Sequence, residues 1–281
     1  MKNRKNIIPR LHNALKRELR EHRSSFIIYT ILRALVIGVL IFTVVTENYE
    51  SAFLCLLTLV LLIVPSFLQV ALRIELPTML EITMLIFIFA AEILGEIFNF
   101  YSIFPFWDTV LHTLNGFLAA AIGLSLVRLL NKSDRLLIYL SPLFTSIVAF
   151  CFSMTIGVFW EFFEFSMDRF LCFDMQKDTV IHTISSVMLN PTGENDPVVM
   201  ENISDVTVSG HDLGLGGYLD IGLIDTMQDL FVNFIGALVF SVLGYFFVKN
   251  KNDDSVVVKL IPHKKDKDKD YREYEKKSVK S

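Results

Sequence analysis

The chain has few of the residues that build compact metal-binding or catalytic motifs. Its three cysteines, Cys55, Cys151 and Cys172, are far apart and include no CxxC pair, so neither a disulfide framework nor a zinc knuckle is predicted. It lacks the HExxH sequence that binds zinc in metalloproteases. Basic residues are concentrated near the two ends without a nucleic-acid-binding motif, so we expect no nucleic-acid partner.

Long apolar runs dominate the chain instead. Hydrophobic residues make up 53% of its 281 residues, and the mean hydropathy is +0.50. A helix of about 18 or more apolar residues crosses the roughly 30 Å hydrocarbon core of a bilayer. Six runs reach that length, near residues 26–46, 51–71, 78–100, 108–130, 136–165 and 223–248. The sequence therefore predicts an all-α membrane protein, a polytopic bundle of six transmembrane helices, whose first span is a retained anchor.

Lysine and arginine are distributed unevenly between the two sides of such a bundle. With six spans, 23 of the 26 Lys and Arg residues fall on the side that holds both termini. An excess of these residues marks the cytoplasmic side. We therefore expect a multi-pass protein of the plasma (cytoplasmic) membrane with both termini cytoplasmic. Arg33 lies within the first span, where it is expected to snorkel inward or pair with an acid.

The segments outside the spans differ in character. Residues 1–25 are basic and form either an amphipathic helix on the inner leaflet or an ordinary solvated lead-in helix. Spans one to five occupy 26–168, and span six occupies 223–248. The extracytoplasmic segment 169–222 carries eight acidic and two basic residues, and we expect it to be a lid over a site, with a short hairpin in 198–208. The charged cytoplasmic tail, 249–281, is expected to be disordered.

Acidic residues recur at one end of four spans. They are Glu92 and Glu96 in the third span, Asp108 with His112 in the fourth, Glu161 and Glu164 in the fifth, and Asp225 and Asp229 with Asn233 in the sixth. The predicted orientation places all of them at the outer ends of their spans. Charged groups at membrane depth are costly to bury, and such a set is by default a functional-site hypothesis.

Helical spacing gives this set a plausible chemistry. Asp108 and His112 are four residues apart and share one helix face, as do Glu161 and Glu164 at three apart. Carboxylates with one imidazole suit a divalent cation, for which we predict Asp108, His112, Glu164 and Asp229 as ligands. General acid–base catalysis is the alternative chemistry, with Asp108, His112, Glu161, Glu164, Asp225, Asp229 and Asn233 as the catalytic candidates. Glu92 and Glu96 are weaker members of the set.

Each residue also has a simpler interpretation. Asp108 and Asp225 stand where an acid favours a helix N-terminus. Glu161 and Glu164 are also compatible with a position among hydrated headgroups. A single histidine such as His112 is more often a structural hydrogen-bonding group than a ligand. The coincidence of acids on several spans favours the functional interpretation over these separate ones.

Three short motifs resemble one known family. They are Trp107-Asp108-Thr109-Val110-Leu111-His112 with Gly116, Trp160-Glu161-Phe162-Phe163-Glu164, and Asp225-Thr226-Met227-Gln228-Asp229 followed by Asn233 and Gly236. Their order resembles bacterial membrane proteins of unknown function, the DUF2238 or YjdF-like family, over roughly residues 78–248. It is also similar, more loosely, to VanZ-like proteins, a group linked to glycopeptide tolerance. The resemblance implies a membrane fold and carries no established reaction.

Three functions are compatible with these observations. The first is a cation-dependent enzyme that acts on a lipid or a lipid-linked envelope precursor at the outer leaflet, in which Asn233 orients the substrate. The second is a cation- or proton-coupled transporter, and the third is a binding or structural membrane protein whose acids satisfy one another. The motifs of lipid phosphate phosphatases and CAAX-type proteases are absent from the sequence. The cofactor is unknown, with a divalent cation as the candidate, and membrane lipid is the expected partner.

Overall fold

The computed structural model describes residues 7–131, 140–250 and 259–265. Two compact units divide the chain. The first consists of residues up to Gly157 together with those from Val232 onward, and the second consists of Val158–Phe231. Each unit is described separately below.

Six helical spans long and apolar enough to cross a membrane occur in the described ranges, as the sequence predicts. They cover Arg23–Val45, Tyr49–Leu72, Thr78–Ile97, Trp107–Leu129, Pro142–Leu171 and Leu223–Asn250. The fifth span ends six residues later than residue 165, the end that hydropathy gave. Its predicted start at 136 lies outside the described residues. The number of spans and the all-α membrane class are confirmed, because long apolar runs specify a spanning helix almost locally.

The helices that build the spans are α2 (Arg23–Val45), α3 (Tyr49–Leu61), α4 (Val64–Leu72), α5 (Thr78–Phe89), α7 (Trp107–Asn131), α8 (Pro142–Leu171) and α9 (Leu223–Asn250). The second span divides into α3 and α4 because Pro65, at the start of α4, has no backbone N–H to continue the helix. The third span passes from α5 into a π-helix, Ala90–Ile97. Short helices α1 (Ile7–Glu18) and α6 (Phe100–Ile103) precede α2 and α7.

Helix α1 forms in the basic N-terminal segment and packs on α4. Ala14 and Glu18 are buried on one side of it, while Lys16 and Arg17 are exposed. Helix α1 thus has one buried side and one basic side, and its position on the inner leaflet stays a prediction. In α2, the guanidinium of Arg33 donates a hydrogen bond to the hydroxyl of Tyr29, so its partner is a tyrosine four residues earlier and not an acid.

In the first unit, α7 is the most enclosed span and packs closely against α9. A side chain added at Gly116 would overlap the backbone carbonyl of Asn233, and one added at Gly236 would overlap that of Thr113. Small residues permit this approach of two backbones. Farther along the pair, Ala121, Leu124 and Phe240 are fully buried in one apolar cluster.

The second unit holds the last turns of α8, the first turns of α9 and the short strands between them. Strand β2 (Val180–Ile181) pairs with β7 (Tyr218–Leu219), β3 (Ile184–Ser186) with β4 (Val198–Met200), and β5 (Thr207–Val208) with β6 (His211–Asp212), all antiparallel. The prediction of a hairpin within 198–208 was wrong, because the strands in that range pair with segments outside it. Ser209 and Gly210, both with positive φ, make the tight turn between β5 and β6. The remaining strands, β1 (Ile74–Glu75) and β8 (His263–Lys264), pair with each other in the first unit.

Candidate functional site

The first turns of α7 bring Asp108 and His112 together in the first unit. The Nε2 atom of His112 lies 3.4 Å from the Oδ1 atom of Asp108. The His112 side chain is only 10% exposed, whereas that of Asp108 is 30% exposed. The predicted pairing of these two side chains is therefore present, because residues four apart face the same way on a helix. The pair combines a buried imidazole with a carboxylate that solvent can reach.

One turn farther along α7, Asn115 connects this helix to α9. Its side-chain amide donates a hydrogen bond of 3.0 Å to the Oδ1 atom of Asn233. The amide nitrogen of Asn233 in turn lies 3.6 Å from the sulfur of Met154. Asn233 is 1% exposed, and Gly157 leaves the space that its side chain fills. Asn233 thus joins three helices, and its predicted role in orienting a substrate stays a prediction.

The π-helix places Glu92 in the interior of the first unit and is tied to the start of α7. Glu92 is 2% exposed. The indole nitrogen of Trp107 donates to the carbonyl of Ala90, 3.3 Å away. π-Helical turns misalign backbone hydrogen bonds and occur often at functional positions. This bond anchors the turn that carries Asp108 against the turn that carries Glu92.

In the second unit, three of the predicted site residues are buried. Glu161, Glu164 and Asp229 are 4%, 7% and 4% exposed. The indole nitrogen of Trp160 donates to the Oε1 atom of Glu164 at 2.9 Å. These carboxyls therefore lie inside protein and not on the surface where water alone would solvate them.

Asp225 differs from these residues because the loop uses it as an anchor. Its Oδ2 atom accepts the backbone N–H of Lys177 at 2.8 Å. Asp220, which the sequence analysis did not select, caps α9 by accepting the N–H of Ile224 at 2.8 Å and also accepts that of Thr179 at 2.7 Å. Asp225 stands in the first turn of α9, and the backbone N–H of Ile224 in that turn is capped by Asp220, five residues earlier. Asp225 as a catalytic residue stays a prediction.

Four aspartates crowd one region of the second unit. Partial loss of hydration raises the pKa of the exposed Asp178, and the nearby charges of Asp174, Asp220 and Asp168 raise it further. Asp168 accepts the backbone N–H groups of Met175 and Gln176 at 2.6 and 2.8 Å. The acidic composition of 169–222 thus serves in part to fix the course of its own backbone.

Asn115 and Asp220 make structural hydrogen bonds that the sequence did not lead us to predict, for different reasons. Asn115 continues the stripe of Asp108 and His112 at helical spacing, so the α7 pattern contained it. Asp220 lies in a loop, where its role depends on the course of the backbone around it. A periodic pattern cannot indicate such a residue.

The comparisons with known proteins agree with this architecture. A family described as predicted membrane protein (DUF2238) matches residues 28–250. No curated protein and no solved structure matches the chain. The resemblance to VanZ-like proteins stays a prediction. Since the match covers most of the chain and includes most or all of each of the six spans of the described residues, the protein is an integral membrane protein that belongs to the DUF2238 family.

Proposed function

We propose that this protein is a cation-dependent enzyme of the plasma membrane that acts on a lipid or a lipid-linked envelope precursor at the outer leaflet. Asp108 and His112 are the core of the cation site in this proposal. The cation would act as a Lewis acid on a carbonyl or phosphoryl oxygen of the substrate. The excess of Lys and Arg beside the termini supports this orientation, with the first turns of α7 at the outer face.

The separation of Asp108 and His112 is the observation that carries the proposal. Bonds of roughly 2.0–2.2 Å from a divalent ion to nitrogen and oxygen place neighbouring ligand atoms about 3–3.5 Å apart. The 3.4 Å between Nε2 of His112 and Oδ1 of Asp108 falls in that range. It is long for a direct hydrogen bond, which has its most frequent length near 2.9 Å. The partial exposure of Asp108 fits a site that exchanges ligands better than a closed structural site.

We further propose that Asp229 and Glu164 complete the ligand set. Helices α7 and α9 run in the same direction, since Gly116 approaches Asn233 and Leu124 approaches Gly244. Asp229 precedes Asn233 by one helical turn, and His112 precedes Asn115 by nearly one turn. The proposal for Asp229 rests on its spacing in the sequence, one helical turn before Asn233 on the same face of α9. Support for Glu164 comes from its burial and its place in the outer turns of α8.

The polar residues of α7 do not continue as a pathway, which favours an enzyme over a transporter. Between Gly116 and Val127 the helix is apolar or small except for Ser125. The hydroxyl of Ser125 donates to the Ala121 carbonyl of its own helix at 2.9 Å. A transport route needs groups that solvate a charge across the whole bilayer. A site at one depth supports chemistry at one membrane face.

Metal content of the purified protein tests the proposal. We expect near-stoichiometric divalent metal in the wild type and a loss of about tenfold or more in affinity for Asp108→Ala, His112→Ala and Asp229→Ala, because each removes a ligand. His182→Ala is the matched control, since His182 is an exposed histidine whose ring contacts the carbonyl of Ile203. Thermal unfolding of each variant establishes that it is folded.

The outcomes separate the candidate functions. Metal retained by folded Asp108→Ala and His112→Ala would reject the cation site. Metal lost in these variants but not in His182→Ala supports it and justifies assays on lipid-linked precursors with and without a chelator. Turnover that the chelator abolishes supports the enzyme, whereas metal binding without turnover on any such precursor would reject it.

A further inference from the structure

A second polar cluster lies in the first unit, far along the chain from Asp108 and His112. We call it the Lys265 cluster, and it consists of Glu18, His22, Glu75, Glu81, His263 and Lys265. Its three carboxyl side chains are all buried, with Glu18 2%, Glu75 9% and Glu81 4% exposed. The cluster therefore calls for an explanation that the predicted outer site does not provide.

Residues 259–265 reach this cluster through backbone pairing. Strand β8 pairs with β1 in antiparallel register, with Ile74 opposite Lys264 and Glu75 opposite His263. The N–H of Lys265 donates to the carbonyl of Arg73 at 3.1 Å. Ile261 is 5% exposed and belongs to the apolar cluster of α7 and α9. Leu260 packs against the same cluster, so the segment is seated on the unit by a short ladder, one further backbone hydrogen bond and two apolar side chains.

Lys265 supplies a buried positive charge to the cluster. Its ammonium, only 2% exposed as a side chain, forms an ion pair and hydrogen bond with Glu18 of α1. Glu75 lies between two histidines, with its oxygens 3.7 Å from Nε2 of His22 and 3.7 Å from Nε2 of His263. Burial raises the pKa of Glu18 to about 7, and the hydrogen bond and charge of Lys265 act against that rise. Lys265 therefore stabilises the ionised form of a carboxyl that burial disfavours.

The carboxyls of the cluster are incompletely satisfied within the described residues. The Oε2 atoms of Glu18 and Glu81 are buried there without a hydrogen-bond partner, although Gln69 donates to Oε1 of Glu81 at 3.2 Å. A permanent core usually pairs such atoms. A two-residue ladder, one further backbone hydrogen bond, the apolar side chains of Leu260 and Ile261 and one ion pair are also a small set of contacts to hold a segment in place. These features fit a contact that forms and breaks.

We propose that residues 259–265 are a charge-held latch, in which the Lys265 ammonium docks in the carboxyl cluster and its release loosens both the segment and helix α1. Glu18 lies on α1, so the ion pair joins the helix before the first span to the segment after the last span. Lys16 and Arg17 are exposed on the same helix. Freed from the latch, α1 presents an amphipathic basic helix to an anionic lipid surface.

Cysteine labelling of the full chain in detergent tests the latch. Two reporters are Ile261→Cys in the segment and Ala14→Cys on α1, where both native side chains are buried. The exposed Cys151 and Cys172 are replaced by serine, and the buried Cys55 is kept as a sensor of unfolding. A maleimide probe measures the labelling rate of each reporter with lysine, arginine or methionine at position 265. Lys264→Met is the matched control, because Lys264 is an exposed neighbour.

We expect Lys265→Met to speed labelling at both reporters by about tenfold or more, because it leaves buried acids without their cation. Lys265→Arg keeps the charge and Lys264→Met keeps the ion pair, so both should stay near the wild-type rate. Equal rates for Lys265→Met and Lys264→Met would reject the latch. Faster labelling at position 261 without faster labelling at position 14 would reject the coupling to α1 and the proposal with it. Labelling of Cys55 in Lys265→Met would mean that loss of the ion pair unfolds the protein. The ion pair would then be part of the core of the fold, which also rejects a latch.

Discussion

At the scale of single residues, the acidic side chains fall into two groups. Glu164 and Asp229, which lie on helices, are buried. Asp168, in the last turn of α8, and Asp220, in the loop before α9, accept backbone N–H groups. A carboxylate that accepts backbone N–H groups is compensated locally and costs little to keep ionised. The buried helical acids have more of their solvation removed, and they are the better candidates for binding a cation.

Asp178 gives a prediction about pH for the second unit. Its pKa is raised by partial loss of hydration and by the charges of Asp174, Asp220 and Asp168. A carboxyl with a raised pKa in the folded state adds stability below its unfolded pKa and loses that contribution as pH rises through the folded value. At pH 7 we therefore expect Asp178→Asn to slow proteolysis of segment 169–222 by about twofold, since cleavage follows the population of the opened form.

The difference between Asp178→Asn and the wild type should shrink as pH falls, because the aspartate then takes up a proton and loses its charge. Asp196→Asn is the control, because Asp196 is an exposed aspartate of the same segment outside the crowded group. Proteolysis rates at pH 7 and near pH 4 measure both effects. Faster cleavage of Asp178→Asn at pH 7 would contradict the assignment of repulsion to this residue.

At the scale of elements, the α7–α9 contact determines the arrangement around Asn115 and Asn233. Backbone carbonyls of Asn233 and Thr113 occupy the space that a side chain at Gly116 or Gly236 would need. A backbone atom cannot move aside as the end of a flexible side chain can. Glycine at these two positions is therefore a requirement of the close helix approach.

Gly116→Ala should lower the stability of the protein in detergent. We expect a loss of about 1–3 kcal/mol, because the added methyl group overpacks the contact between two backbones. Gly38→Ala is the matched control, since no atom lies within 4 Å of the position its methyl group would occupy. There the change should be neutral or slightly stabilising, because alanine favours the helix. Thermal unfolding of both variants measures this, and equal transition temperatures would argue against the close α7–α9 contact.

At the scale of the whole molecule, charge distribution predicts the orientation in the membrane. The side with both termini carries 23 of the 26 Lys and Arg residues, which predicts that both termini are cytoplasmic. Cys172 is exposed in segment 169–222, and an impermeant maleimide should label it in intact cells of a Cys151→Ser variant. Cys172→Ser should abolish that signal. Labelling of Cys172 only after cell lysis would indicate the opposite topology and exclude an outer site.

The sequence by itself determined the number of spans, the family and the pairing of Asp108 with His112. Each depends on information that is local along the chain, since a long apolar run specifies a membrane helix and a spacing of four specifies a shared face. Asn115 belonged to the same stripe and could have been selected with them. The π-helix was not foreseen, because its backbone pattern depends on the neighbours that pack against it.

Only the tertiary structure decided which distant residues meet. Asn115 and Asn233 are 118 residues apart, and Glu18 and Lys265 are 247 apart. Helical periodicity relates residues within one or two turns, whereas these contacts depend on how closely whole helices approach and on where a strand pair holds the tail. The Lys265 cluster was hidden from the sequence for that reason, since its charges come from segments that only packing and β1–β8 pairing bring together.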